Sequence, residues 1–249
     1  MTAQSHLRGL PAGPFVSPDW LAARLDDPGV VVIDTRGRVP APGAAPASMR
    51  ADFDEAHLPG AQFVDWFSDF VDVDDPVPNQ LAGPARATAA AARLGIGADT
   101  VVVAYDDYHS IFAGRLWWAL RALGHDAVRV LDGGWTGWVA GGHPVSNEAA
   151  APLGGSATGE PFVARPVEEL RWMVDDVASR TPEVVLVDAR SREHTRERRR
   201  DARERRTTSK SATAATEAST LPRAPAQPPP PNALETPKVS VAATTTTEA

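Results

Sequence analysis

The sequence predicts an α/β fold, a parallel sheet flanked by helices, followed by an incomplete second copy of that unit and a disordered C-terminal tail. Three observations carry this expectation. Short aliphatic runs such as VVVI (30–33) and VVVAY (101–105) show no polar alternation, so both faces of each strand must be covered. Helical segments stand between the runs, which implies right-handed crossovers in a parallel sheet. Finally, VVLVDAR (184–190) repeats VVVIDTR (30–36), and each copy follows a helix signal, RPVEELRWMV (165–174) and SPDWLAARL (17–25).

The elements follow in order. Ser17-Pro18-Asp19 offers a capping hydroxyl, a proline for the first turn and an acid near the positive end of the dipole. The helix it opens carries Trp20, Leu21 and Leu25 and stops at Pro28-Gly29. Val30–Ile33 is a buried strand ending at Asp34, and residues 35–56 read as loop because Pro and Gly recur from 40 to 46. Ala61–Val64 is a short strand, and a helix runs from about Ala85 to Leu94, ended by Gly95. The strongest strand is VVVAY (101–105). The strongest helix, IFAGRLWWALRAL (111–123), is closed by Gly124. AVRVL (127–131) is a further strand, and GGWTGWVAGG (133–142) a short helix between glycines. Residues 1–145 thus form one domain, 146–162 a linker, 163–195 the start of a second domain, and 196–249 a tail.

Composition narrows the chemistry. The 249 residues hold 25 Lys+Arg against 32 Asp+Glu, a net charge of −7, and 43% are apolar, enough for a sizeable core. There is no cysteine, which excludes disulfides, zinc–thiolate sites and any cysteine nucleophile in this chain. No run approaches a membrane span, and MTAQSHLRGLPAGPFVS lacks the basic-then-apolar pattern of an export signal, so the expected location is the cytoplasm. The average charge conceals a break. Residues 1–195 carry fifteen basic and twenty-six acidic residues and no lysine, whereas residues 196–249 carry ten and six. Every aromatic residue lies before residue 173. The tail opens with RERRRDARERR (196–206) and continues through PPPP (228–231) and TTTT (244–247), a composition that cannot offset chain entropy. An acidic body gives the basic run no supporting patch, so no nucleic-acid partner is expected.

Four segments carry the functional reading: Asp34-Thr35-Arg36 at a strand end, FDEAHLPGAQFV (53–64), VVVAYDDYHSIFAGRLWW (101–118) and VLDGGWTGWVAGGHPV (130–145). In this order and spacing they resemble the rhodanese family, specifically the tandem-domain thiosulfate or 3-mercaptopyruvate sulfurtransferases. The resemblance covers residues 15–145 as the first domain and about 160–195 as the start of a second. It implies a rhodanese-like parallel sheet and transfer of sulfane sulfur to a thiophilic acceptor. It also implies a nucleophilic cysteine where a strand opens into a helix, a location whose N–H groups and dipole stabilise an anion. Here Asp106 occupies that position, and an aspartate cannot carry a persulfide. The resemblance makes this ordinary for a first domain, the second supplying the cysteine; but the second copy never reaches its own nucleophile loop. The composition shift, the first lysines and the repeat's interruption point to a reading-frame change near residues 192–200 or a decayed gene. Translating the other frames of the coding DNA is the test. The chain is therefore expected to be a truncated, inactive sulfurtransferase, with a non-catalytic binding or regulatory module as the alternative.

Each marked residue has a plainer reading beside the functional one. Asp34 and Arg36 read first as a structural ion pair, and His57 as a group that hydrogen-bonds its turn. The loop Asp106, Asp107, Tyr108, His109 and Ser110 is the possible anion site. A carboxylate-nucleophile hydrolase on Asp106 and His109 is a third hypothesis, weakened because one loop supplies only adjacent residues. VDVDDP (71–76) lacks the glycine and final glutamate of a calcium loop. Trp117, Trp118, Trp135 and Trp138 read as core, and Arg115 as one half of a surface ion pair. No metal and no cofactor is expected. The expected partner is a small sulfur-containing anion, with a protein partner open and no membrane.

Overall fold

The computed structural model describes residues 9–39, 47–77, 79–149 and 159–187. The chain divides into two units, Met1–Thr181 and Pro182–Ala249. In the first, five strands form a parallel sheet: β1 (Phe15–Val16), β2 (Val30–Asp34), β3 (Gln62–Phe63), β6 (Val101–Tyr105) and β7 (Val128–Leu131), in the order β1-β7-β6-β2-β3. A two-stranded antiparallel hairpin, β4 (Val71–Asp72) and β5 (Gln80–Leu81), stands apart from it. The α/β expectation holds, and its reason is visible in the central strand. Residues 101, 103 and 105 of β6 enter one core, and 102 and 104 the other. Period-two geometry therefore requires all five to be apolar.

The helices supply the two faces. α1 (Pro18–Ala22) is capped by Ser17, whose Oγ accepts the Trp20 N–H at 3.2 Å. Leu21 of α1, Phe53 of α2 (Arg50–Glu55) and Trp138 of α5 (Gly134–Ala140) cover one face. α3 (Pro84–Arg93) and α4 (Ile111–Ala122) cover the other through Ala87, Ala91, Leu116 and Leu120. α2 corrects the reading of residues 35–56 as loop. Its six residues bury only Phe53, so no apolar period marks it, and an Arg50–Asp54 pair at 2.8 Å braces its exposed side.

The second copy also differs from its sequence signal. Residues 165–174 do not form the expected helix. Arg165 N–H donates to Leu123 O and Val167 N–H to Ala122 O, both at 2.8 Å, holding this stretch extended against the end of α4. A 3-10 turn (Glu168–Leu170) follows, and α6 (Val174–Ser179) begins where the expected helix was to end. Both described ends of the expected linker are tied to the first sheet's layers. Ser146 pairs with His57, Pro161 with Gly97, and Phe162 and Ala164 are buried in the α3–α4 core. Gly124 takes φ +91° at the end of α4, and a Cβ there would meet Arg165 O at 3.0 Å. Of the second unit, residues 182–187 are described. They form no strand, although VVLV was expected to, and Val185 and Val187 are exposed. The expected tail (196–249) and the reading-frame break lie outside the described residues.

Candidate functional site

Asp106 closes the central strand and is 2% exposed. Its Oδ1 accepts the N–H groups of Tyr108 and Ser110, both at 2.9 Å. Its Oδ2 accepts those of Phe112 at 2.8 Å and Ala113 at 2.9 Å. The last two belong to the first turn of α4, where N–H groups have no partner within the helix and the dipole favours negative charge. His109 and Ser110 both adopt left-handed φ, 55° and 59°, and so curl successive N–H groups inward as an anion-holding nest. Two such non-glycine residues cost about 1–3 kcal/mol each. Four hydrogen bonds to a carboxylate, at about 1.5–3 kcal/mol each, offset that strain. The donors that converge on this loop are thus taken by the chain's own side chain.

Around the nest the loop is buttressed from two sides. Trp135 N–H donates to Asp106 O at 2.8 Å, which brings α5 against the loop. Gly134 (φ +53°) permits that approach, because a Cβ there would run into the same carbonyl oxygen. On the other side Arg38 grips Asp107 with two parallel bonds of 2.7 Å. Tyr108 and His109 are exposed at the rim, their rings 5.6 Å apart. Between the 106–110 loop and the Gly133–Thr136 turn lies a cleft of about 250 Å³.

Asp34 and Arg36 form the buried clamp beneath it. The Arg36 Nε and Nη2 meet the Asp34 carboxylate at 2.9 and 2.8 Å, and Nη2 continues to Ala56 O at 2.6 Å. Tyr105 Oη donates to Asp34 Oδ2 at 2.6 Å and accepts the Leu58 N–H at 3.2 Å. Trp135 stacks on Tyr105 and lies under the Arg36 guanidinium, 4.6 Å away. Burial pushes the Asp34 carboxyl up from its ordinary range, against the pull of Arg36 and Tyr105. Burial and the Asp34 charge likewise raise the Tyr105 hydroxyl well above its ordinary value. Desolvation works most strongly on the Arg36 guanidinium, lowering its affinity for the proton, but the hydrogen bond and charge of Asp34, with Tyr105 and Asp107 adding, together hold that affinity above the ordinary value. This network joins β2, β6 and α2; its acid is fully buried with both oxygens engaged.

His57 is 1% exposed and stacked on Phe53 at 4.1 Å. Its Nδ1–H donates to Phe53 O at 2.7 Å, and Nε2 is buried without a hydrogen-bond partner. It holds the end of α2 and, through its backbone, Ser146. The hydrolase reading meets a geometric obstacle at Asp106, whose two oxygens are turned inward onto four N–H groups. Among the described residues no group of three or more His, Asp or Glu could hold a metal ion. Arg115 does not make the expected surface ion pair: its Nη2 donates to the carbonyl of Asn79 at 2.7 Å. Sequence reading passed over Arg38, Tyr105, Gly134 and Trp135 as parts of the site. The glycine pair at 133–134 was the one available signal, since it marks a close backbone approach.

Comparison with known proteins supplies the rest. A family model described as a rhodanese-like domain matches residues 17–141. The 3-mercaptopyruvate sulfurtransferase of Escherichia coli (strain K12) is 36% identical over 124 residues, covering 50% of this chain and 43% of that protein. The thiosulfate sulfurtransferase of Bos taurus is 38% identical over 144 residues, covering 55% and 47%. A Thermus thermophilus protein described as the sulfur carrier protein TtuD is 32% identical over 182 residues, 71% of this chain and 58% of its own length. The chain therefore spans about half the length of the curated relatives it matches. Among solved structures, the crystal structure of SseA from Escherichia coli, a 3-mercaptopyruvate sulfurtransferase, superposes with a TM-score of 0.59 at 32% identity, over 67% of this chain and 61% of that one.

Proposed function

Since the chain belongs to the rhodanese-like domain family, we propose that it is a non-catalytic member of the sulfurtransferase lineage. Its intact relatives would move sulfane sulfur from thiosulfate or 3-mercaptopyruvate to a thiophilic acceptor. One observation carries the reading: the nest at the end of β6, suited to a sulfur anion, is filled by the Asp106 carboxylate, in a chain with no cysteine. Sulfur transfer needs a thiolate that attacks the outer sulfur of thiosulfate. The S–S bond breaks, sulfite leaves with the electron pair, and a persulfide remains. Cyanide then takes the outer sulfur as thiocyanate and regenerates the thiolate. A carboxylate cannot form the persulfide. The second copy of the unit, whose strand and loop would supply a cysteine, does not continue beyond residue 192 in recognisable form. The cytoplasmic location and the truncation belong to the same proposal. No described helix is long and apolar enough to cross a membrane.

The test has two arms. The chain as it stands should give no thiocyanate from thiosulfate and cyanide above buffer, and measurable turnover would overturn the reading. Asp106→Cys places a thiol against the same four N–H groups. It should gain the mass of one sulfur atom on exposure to thiosulfate and lose it to cyanide. If that variant is folded and takes up no sulfur, the nest is not the site of the family's chemistry in this chain.

A further inference from the structure

A second cluster of donors, on the flank of α4, is not filled. Arg36, Arg38, Arg50, Arg93 and Arg121 each pair with a carboxylate. Arg115 and Arg171 line one groove of about 450 Å³, and among the described residues neither has an acidic partner. Each bonds instead to a neutral oxygen at the β5 end of the hairpin: Arg115 to Asn79 O at 2.7 Å, and Arg171 to Gln80 Oε1 at 3.0 Å. A guanidinium carries five N–H donors, so these bonds leave most of the two forks uncommitted. Burial, reinforced by the charge of Arg171, makes Arg115 a weaker base than usual, as expected where two cations share a site without an anion. Among the described residues no carboxylate lines the groove. Glu168 and Glu169 are exposed on the 3-10 turn, and Asp176 accepts the Met173 N–H at 2.7 Å.

The walls are flat and apolar. The Trp118 indole is fixed by its Nε1–H to Leu170 O at 2.8 Å, and the Arg115 guanidinium stacks 4.4 Å from its centre. Trp172 and Met173, 45% and 54% exposed, add a half-exposed indole and thioether to its wall. We propose that this groove binds a small organic oxyanion, a carboxylate or phosphate carried on a flat apolar body. Paired N–H bonds from the forks of Arg115 and Arg171 receive the charge. The indoles and the thioether receive the body. The groove requires no sulfur chemistry and is independent of the nest at Asp106.

Calorimetric titration of the full chain with benzoate, with phenyl phosphate and with neutral benzyl alcohol tests the proposal. Saturable one-to-one binding of benzoate or phenyl phosphate is expected, with no binding of the alcohol; the better of the two anions identifies the oxyanion preferred. Arg171→Ala should weaken that binding about tenfold or more. Arg171→Lys, which keeps the charge but loses the fork, should bind more weakly than the unaltered chain, and Trp172→Ala should lower affinity with either anion. Circular dichroism of each variant separates lost binding from lost folding. Equal affinity in Arg171→Ala and the unaltered chain overturns the proposal, as does binding of benzyl alcohol equal to that of benzoate. Binding of an aspartate-rich peptide without either small anion overturns it as well.

Discussion

The two ends of one idea sit on the same helix. At the N-terminus of α4, four backbone N–H groups converge on an anion the chain supplies itself, the Asp106 carboxylate. On its flank, two guanidiniums lie beside a groove that, among the described residues, no acid lines. The difference separates donors that hold the fold from donors that can hold a ligand. A buried N–H must be satisfied within the fold, because leaving it orphaned costs the full desolvation penalty. A half-buried guanidinium can satisfy its remaining donors with water, so the fold tolerates it unpaired. The nest should therefore be intolerant of change and the groove permissive.

The largest effect expected is at the nest. Asp106→Ala removes the acceptor of four N–H groups, those of Phe112 and Ala113 buried and those of Tyr108 and Ser110 part-buried, while keeping two left-handed residues in place, and should lower unfolding free energy by about 3–5 kcal/mol. Asp106→Asn retains one oxygen acceptor and should cost less than half as much. Urea unfolding followed by tryptophan emission measures both. A loss below about 0.5 kcal/mol in Asp106→Ala would erase the contrast between nest and groove.

Next comes the segment that carries the groove's second arginine. Residues 159–171 are held down by Phe162 and Ala164 in the α3–α4 core rather than by Arg171. Phe162→Ala should cost about 3 kcal/mol and should also weaken anion binding, because Leu170 and Arg171 follow from the same anchor. If the variant is destabilised yet binds unchanged, the groove does not depend on this packing.

How much of this was legible beforehand follows from which signals are local. The buried strands announce themselves because both faces need apolar residues, so VVVAY (101–105) cannot be mistaken for an exposed loop. Asp106 was legible as the residue at the critical turn; that its own carboxylate fills the nest was not, since the donors come from the backbone of residues 108–113. α2 was hidden because one phenylalanine does its packing. The expected helix at 165–174 fails for a tertiary reason: hydrogen bonds from Arg165 and Val167 to the end of α4 are invisible to periodicity. The groove combines residues 79–81, 115, 118 and 170–174, and no local pattern joins them.

A smaller effect follows from His125, buried with its Nε2–H on Thr100 O at 2.9 Å and its ring against the edge of Phe162. Burial lowers its affinity for the proton below the ordinary value, and the Thr100 carbonyl only partly offsets this. The unfolded chain therefore takes up a proton near pH 6.5 that the folded chain refuses. The stabilisation is fully present above about pH 6.5 and is lost as pH falls, by at most about 1.4 kcal/mol per pH unit. Urea midpoints at pH 7.5 and pH 5.5, compared with those of His125→Gln, should differ by more in the unaltered chain. Equal differences would show that the contact with Phe162 carries no pH dependence.

The smallest effect expected is the most discriminating. Arg171→Ala removes one bond to Gln80 Oε1 and one member of a like-charged pair. A single hydrogen bond to a charged group at a partly exposed site is worth little net, because water replaces it. Relief of the repulsion felt by Arg115 works in the opposite direction. The two should leave stability within about 0.5 kcal/mol of the unaltered chain. Donors that fold the protein cannot be removed without loss, so a neutral Arg171→Ala places this guanidinium among those available to a ligand. A loss of about 2 kcal/mol or more would instead make Arg171 a structural clamp on the hairpin, and the flank of α4 would then be as self-satisfied as its N-terminus.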